Sequence, residues 1–315
     1  QDDRRKLWKK NNSLEKVRPP IYRRGGGWIE EIIYPKLKCK DNFYRSHELY
    51  LRRIIYQDTL GDDFIVEPWI TQRASYDLPE KGHWGLEISK NESNQKKGAF
   101  HVDPPIKKLN DINKLVVPTH KINEEETNKN IKKLKKAVED ILEVNVDRGP
   151  FYRMWTGDIS TDLGYLRGIE QFMWDVYDNP EWLKRLLSFL RDGILKVHQE
   201  AEEAGDWQLC NHENQSMPYA SELKDPKANS GSVKRNELWG FLAAQEFDQM
   251  SPKHHYEFML KYQIPILEKF GLTAYGCCED LTHKIDIVKE IPNLRIIAVT
   301  PFADIDKCAK KIGSD

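Results

Sequence analysis

Two adjacent cysteines close the run Leu272-Thr-Ala-Tyr-Gly-Cys-Cys-Glu-Asp280, and a second strand-like run upstream ends in Asn211-His212-Glu213. If the two runs are neighbouring strands of one barrel, their tips bring the sulfurs of Cys277 and Cys278 to the imidazole of His212 and the carboxylates of Glu213 and Glu279. Thiolate, imidazole and carboxylate together suit zinc. A thiolate-bound zinc acts as a Lewis acid on an oxygen, nitrogen or sulfur. The alternative stays open, because successive strand residues face opposite ways and one of the two cysteines can be buried and inert. His212 also reads as a solvated loop residue. Glu213 and Glu279 read as ligands, as carboxylates orienting an imidazole, or as proton donors. Glu67, ahead of Pro68, is expected to face a substrate cleft lined by Trp69, Trp155 and Trp239, with core packing the alternative for each tryptophan. His254-His255 reads as the solvated start of a helix and Cys210 as core.

These residues need elements to hold them. Glu48 to Gln57 is patterned as an amphipathic helix, and residues 64–70 as a first strand with Pro68 near its end. Residues 71–122 carry prolines, glycines and aromatics without period, as a long functional loop does. Apolar positions at helical spacing predict helices over 123–143, 161–177 and 180–204, the last opened by Pro180. Ser251-Pro252 marks the start of a helix running to Phe270. Strands are expected at 151–156, 207–210, 272–276 and 294–300, and helices at 282–290 and 303–312. The repeated strand–helix order predicts a parallel α/β sheet, and the length favours a (β/α)₈ TIM barrel over 61–315 behind a helical extension at 1–60. Fewer strands are visible than a barrel needs, so the chain is expected to lack its last strand–helix units. Gly25-Gly-Gly27 marks a loop, and the chain stops at Gly313-Ser-Asp315.

Bulk properties exclude several classes. The net charge is −1, so no global basic field recruits nucleic acid. No apolar run is long enough to span a bilayer. Five cysteines, odd in number and irregularly spaced, behind no secretory signal, read as reduced thiols of a cytoplasmic protein. A Gly-x-Gly-x-x-Gly or phosphate-loop sequence is absent, which counts against a dinucleotide-binding sheet.

Several segments resemble the uroporphyrinogen decarboxylase superfamily, in particular its corrinoid-dependent methyltransferase branch. They are Leu166-Arg167-Gly168 followed by Asn179-Pro-Glu181, Ser251-Pro252 through Tyr262 and Pro265, and the strand Leu272 to Asp280. Where zinc-binding members read His-x-Cys-Gly, this chain reads Tyr275-Gly276-Cys277-Cys278, so Cys277 matches the cysteine ligand and Tyr275 replaces the histidine. The resemblance implies a zinc-dependent methyltransferase, held by Cys277, His212 and Cys278, that moves a methyl group between a small methylated substrate and a corrinoid protein. A methoxylated aromatic undergoing O-demethylation is one such substrate, with Glu213 or Glu279 protonating the departing oxygen. The corrinoid must come from a partner, because no Asp-x-His-x-x-Gly segment is present. A homodimer is compatible with this reading. Thr71-Gln-Arg-Ala-Ser-Tyr76 stands where the decarboxylases carry Arg-Gln-Ala-Gly-Arg, which counts against a porphyrinogen substrate. The alternatives are a metal-independent decarboxylase or lyase of the same fold, and a non-catalytic corrinoid-binding scaffold.

Overall fold

The computed structural model describes residues 1–24, 27, 29–92, 100–138 and 140–313. Gly25 and Gly26 of the expected glycine loop, and Ser314 and Asp315, lie outside the described residues. The chain opens with helices α1 (Asp2–Asn12) and α2 (Asn42–Asp58), then strand β1 (Trp69–Arg73), the pair β2 (Ser89–Glu92) and β3 (Phe100–Asp103), helix α3 (Glu124–Val138) and strand β4 (Glu143–Asp147). Helices α4 (Ile159–Arg167), α5 (Ile169–Asp178) and α6 (Pro180–Glu203) follow, then strand β5 (Trp239–Leu242) and helices α7 (Pro252–His255) and α8 (Lys261–Leu267), joined by a π-helical turn. Strand β6 (Leu272–Tyr275), helix α9 (Ile285–Val288), strand β7 (Leu294–Ile297) and helix α10 (Ile305–Ile312) complete the order.

The fold is mixed α/β with parallel strands. β1 pairs in parallel with β4, placing Arg73 opposite Asp147. β5, β6 and β7 form a second parallel set, and β2 pairs with β3 antiparallel. The segment 207–213 links the two parallel sets. Asn211 Nδ2 donates to Asp147 Oδ1 (2.6 Å) at the end of β4, and Glu213 N donates to the Trp239 carbonyl (2.9 Å) at the start of β5.

Period-2 alternation sorts the side chains of the β5–β7 set onto two faces. Trp239, Phe241, Ala243, Leu272, Ala274 and Ile296 pack together on one face, with Met154 and Cys277 against them. Leu242 and Tyr275 belong to the other face, in the core shared with α4, α5, α6 and α8. Within that core, α6 buries Leu183, Leu186, Leu187, Leu190, Ile194 and Val197 completely or nearly so. Each such side chain is worth about 1.5–3 kcal/mol of transfer free energy. Gly240 is required by close approach: a Cβ there would lie 2.6 Å from the Phe270 ring. Arg167 and Asp175 form a buried ion pair (2.6 Å), and the same guanidinium caps the carbonyls of Ile106 and Lys107.

Several elements differ from the sequence expectation. The strand expected at 151–156 is a turn (the 3₁₀ residues Met154–Thr156), and the true strand is Glu143–Asp147, where an expected helix overran. Aromatic density near Trp155 mimicked β-propensity, whereas the short Val144/Val146 alternation was hidden behind the helical period of Ile141 and Leu142. The 207–210 run is extended but ends in a 3₁₀ turn, Leu209–Asn211. The first strand begins at Trp69 rather than at 64. His255 is fully buried and bonded to the Tyr275 hydroxyl (2.9 Å), not solvated. The Ser251 cap, the Pro180 helix start and the starts of strands β6 and β7 agree with expectation. No helix among the described residues is long and apolar enough to cross a membrane.

Candidate functional site

Strands β1 and β4 end side by side in two charged residues, Arg73 and Asp147. The chain after β4 then bends across those ends through residues 148–157. Asp147 organises the bend. Its Oδ1 accepts from Gly149 N (3.0 Å) and Asn211 Nδ2 (2.6 Å), and its Oδ2 binds the Arg153 guanidinium. Arg73 donates to the carbonyls of Pro150 and Phe151 (3.1 Å each) and lies over the rings of Tyr76 and Phe151, 5.4 Å from each centroid. The Tyr76 hydroxyl donates to the Gly149 carbonyl. Met154 takes a left-handed backbone (φ 45°), unusual for a side-chain-bearing residue and common where a site constrains the chain.

That turn aims Met154 N–H at Glu213 Oε2 (3.4 Å). Glu213 is 2% exposed, and its other oxygen makes no hydrogen bond of ordinary geometry, although the Phe241 backbone N–H lies close enough to favour the charged form. Burial pushes the Glu213 carboxyl up to about 7, against the opposing pull of Arg153, of the backbone N–H groups of Met154 and Phe241, and of Arg73. The acid therefore retains a substantial protonated fraction near neutral pH. Both neighbouring arginines keep a buried Nε–H with no partner, as does the Asn214 side-chain amide. Unsatisfied buried donors of this kind are costly. The two arginines lie close enough to Glu213 to favour its charged form.

Of the two adjacent cysteines, Cys277 packs against the same apolar cluster as Met154, the cluster that holds Phe241. Gly276 (φ 92°) breaks β6, since a side chain at that backbone conformation would be strained and its Cβ would meet Leu281 at 2.7 Å. Cys277 and Cys278 therefore lie in a bend, not a strand, and their sulfurs sit side by side at 3.5 Å instead of pointing apart. Cys277 is half-buried and Cys278 exposed. Burial and the adjacent Cys278 sulfur push the Cys277 thiol up to about 11, so it is a thiol at neutral pH.

The expected zinc set does not fit this arrangement. His212 spends both ring nitrogens on backbone: Nδ1 accepts from Trp239 N (3.2 Å) and Nε2–H donates to the Lys224 carbonyl (3.0 Å). Burial lowers its pKa to about 4, leaving a neutral ring whose tautomer is set by structure. Glu279 is likewise consumed, accepting from Ala244 N and Cys277 N (2.9 Å each) with its two oxygens. Among the described residues no three His, Cys, Asp or Glu side chains are grouped to hold a metal ion. His212 and Glu279, expected as metal ligand and proton donor, thus have their ring nitrogens and carboxylate oxygens engaged by backbone groups in this structure. Tyr275 faces the helical layer, so its position was not available to a ligand in any case.

Three expected cleft residues also stand elsewhere. Glu67 precedes the N-terminal end of β1, and its carboxylate is held by the Tyr219 hydroxyl and Arg5 (3.1 Å). Trp239 is fully buried in the apolar face of β5, with Nε1 donating to the Pro218 carbonyl (2.7 Å). Trp69, the first residue of β1, is half-buried at the end of the strand away from Arg73. Trp155 lines a cleft of ≈ 680 Å³ between residues 80–88 and α4, together with Thr161, Asp162 and Tyr165. Cys210 is half-buried beside Asp147, where burial raises its thiol to about 11.

Sequence reasoning missed Arg73, Asp147 and Arg153. The available signal was the charged end of each strand: Thr71-Gln72-Arg73 after an apolar pair, and Asp147-Arg148-Gly149-Pro150 after Val144/Val146. The chain matches no protein-family model, no curated protein and no solved structure.

Proposed function

We propose that this chain is a lyase that works without a metal, removing carbon dioxide from a small carboxylate substrate and protonating the carbon left behind. The fold we assign to it is a (β/α)₈ barrel of the uroporphyrinogen decarboxylase type over 61–315, with 1–60 as an extension. One observation supports this reading above the others: a buried acid oxygen on Glu213, without a hydrogen bond of ordinary geometry, stands near two arginines whose Nε–H groups are unpartnered. Arg73 and Asp147 stand at the C-terminal ends of the parallel pair β1–β4, the end at which sites of that fold lie.

In this reading a substrate carboxylate is bound through Arg73 and Arg153, since guanidinium groups match carboxylate geometry. Asp147 orients Arg153. Cleavage of the carbon–carboxylate bond leaves its electron pair on carbon, and Arg73 moderates that charge. Glu213 then donates its proton to the carbon and becomes a carboxylate, to be reprotonated from water. A general acid is most effective with a pKa near the working pH, which is what burial gives Glu213.

The test is carbon dioxide release, with deuterium incorporation from heavy water at the product carbon, from a panel of aromatic and unsaturated carboxylic acids. Glu213→Gln is expected to lower kcat by on the order of 10²-fold or more with KM little changed. Arg153→Lys is expected to act mainly on KM. Full activity of Glu213→Gln, or activity abolished by chelation and restored by zinc, would overturn the proposal.

A second reading, methyl transfer to a corrinoid partner, is favoured by the aromatic-lined cleft beside Trp155 and Tyr165, which suits a methylated donor. Methyl transfer to free cob(I)alamin from methoxylated aromatics and methylated amines separates it from the first.

A further inference from the structure

The loop 148–157 has two sides. Arg153 and Met154 turn toward Glu213, whereas Trp155 and Thr156 line the ≈ 680 Å³ cleft on the other side. The cleft runs between residues 80–88 and α4. Trp155 is 37% exposed there and rests edge-on against Phe241 (5.0 Å). Tyr165 and His83 add two more rings, and burial keeps His83 neutral by lowering its pKa. The floor holds Asp162, whose residue is 6% exposed and whose Oδ2 accepts from Trp84 Nε1 (2.9 Å). Glu80 and Glu87 also line the cleft, with Lys81 the one cation of its lining among the described residues.

Rings beside a carboxylate in a partly desolvated cleft constitute a recognition surface for a soft organic cation. Aromatic faces attract a cation through their quadrupole, and more so when water is excluded. An anion would instead meet Asp162, Glu80 and Glu87. An inorganic metal ion lacks the liganding groups, since no such group of His, Cys, Asp or Glu exists among the described residues. We propose that this cleft binds an organic ammonium cation, with Trp155 and Tyr165 against its alkyl groups and Asp162 as the counter-ion. The assignment is independent of the lyase reading, because it concerns binding and not turnover.

The surroundings of Asp162 add a pH dependence. Asp158 and Glu246 lie near it, Tyr152 and His83 flank it, and Glu80, Glu87 and Lys81 line the same cleft. Burial, opposed by the Trp84 hydrogen bond and reinforced by Glu246, raises the Asp162 carboxyl to about 7. An ionised Asp162 attracts the cation more strongly than a neutral one, so affinity should rise as pH increases through about 7.

The experiment is calorimetric titration of the full chain with choline and, in parallel, with dimethylbutanol, its uncharged carbon isostere. Choline is expected to bind at least about tenfold more tightly than the isostere at pH 8, a gap of about 1.4 kcal/mol, and more tightly at pH 8 than at pH 6. Asp162→Asn keeps an oxygen for Trp84 and should lose about tenfold in choline affinity while leaving the isostere unaffected. Trp155→Ala, on the half-exposed rim, gives a second variant that does not depend on the buried position and should weaken choline likewise. Equal binding of choline and isostere, no choline binding at millimolar concentration, or wild-type affinity in Trp155→Ala would overturn the proposal.

Discussion

Replacing Glu213 by glutamine should make the protein more stable at alkaline pH and leave it unchanged in mild acid. The carboxyl rises from an ordinary 4.5 to about 7 because burial disfavours its charged form more than Arg153, the backbone N–H groups of Met154 and Phe241, and Arg73 favour it. The folded state therefore holds this proton more tightly than the unfolded chain does. Below about pH 4.5 the group is protonated in both states and contributes no penalty. Between about 4.5 and 7 the unfolded chain ionises first, and folding loses stability as pH rises; above about 7 the loss is complete. At roughly 1.4 kcal/mol per pH unit, that gap amounts to about 3 kcal/mol. Glutamine has nearly the same shape and cannot ionise, so it removes the penalty. Urea unfolding of both proteins from pH 4.5 to 8.5 measures the difference directly, and taking the difference cancels other buried acids such as Asp158 and Asp162. The stability difference should grow through the window and level off near about 3 kcal/mol. A difference independent of pH would mean that Glu213 is solvated and ionised like a surface carboxylate. The assigned proton donor would then be lost, and with it the decarboxylation reading.

Arg167→Met should destabilise the fold by about 3–5 kcal/mol in chemical denaturation, since it leaves Asp175 buried without its partner. Glu279→Ala should cost about 2–4 kcal/mol by stripping the N–H groups of Ala244 and Cys277 of their acceptor, visible as a lowered Tm and faster amide exchange at both. Gly240→Ala should cost about 1–3 kcal/mol through the clash with Phe270, and Phe270→Leu in the same chain should recover part of it.

The parts of this protein governed by near neighbours in the chain were legible from residue types alone. The apolar stripe of α6, the Ser251 cap, the Pro180 helix start and the starts of the strands at Leu272 and Leu294 all follow from local period and capping chemistry, although the second strand, expected to run on to Thr300, ends at Ile297. The bend after Gly276 was not legible in this way: the run reads as strand with its two cysteines facing opposite ways, whereas the left-handed backbone at Gly276 lays their sulfurs side by side. The β5 strand was not legible, because a four-residue run with Gly240 inside it carries little propensity of its own and is held by β6 and Phe270. Site residues divide in the same way. Residue type marked Glu213 and Cys277 as reactive, but His212 and Glu279 looked equally reactive until their backbone partners at Trp239, Lys224, Ala244 and Cys277 were placed. Arg73, Asp147 and Arg153 drew no notice as single letters. Their meaning comes from the β1–β4 register and from the turn that lays Arg153 beside Glu213, contacts between segments far apart in the chain. Whether a charged group is solvated, paired or left unpartnered is a property of those contacts, and only the folded chain decides it.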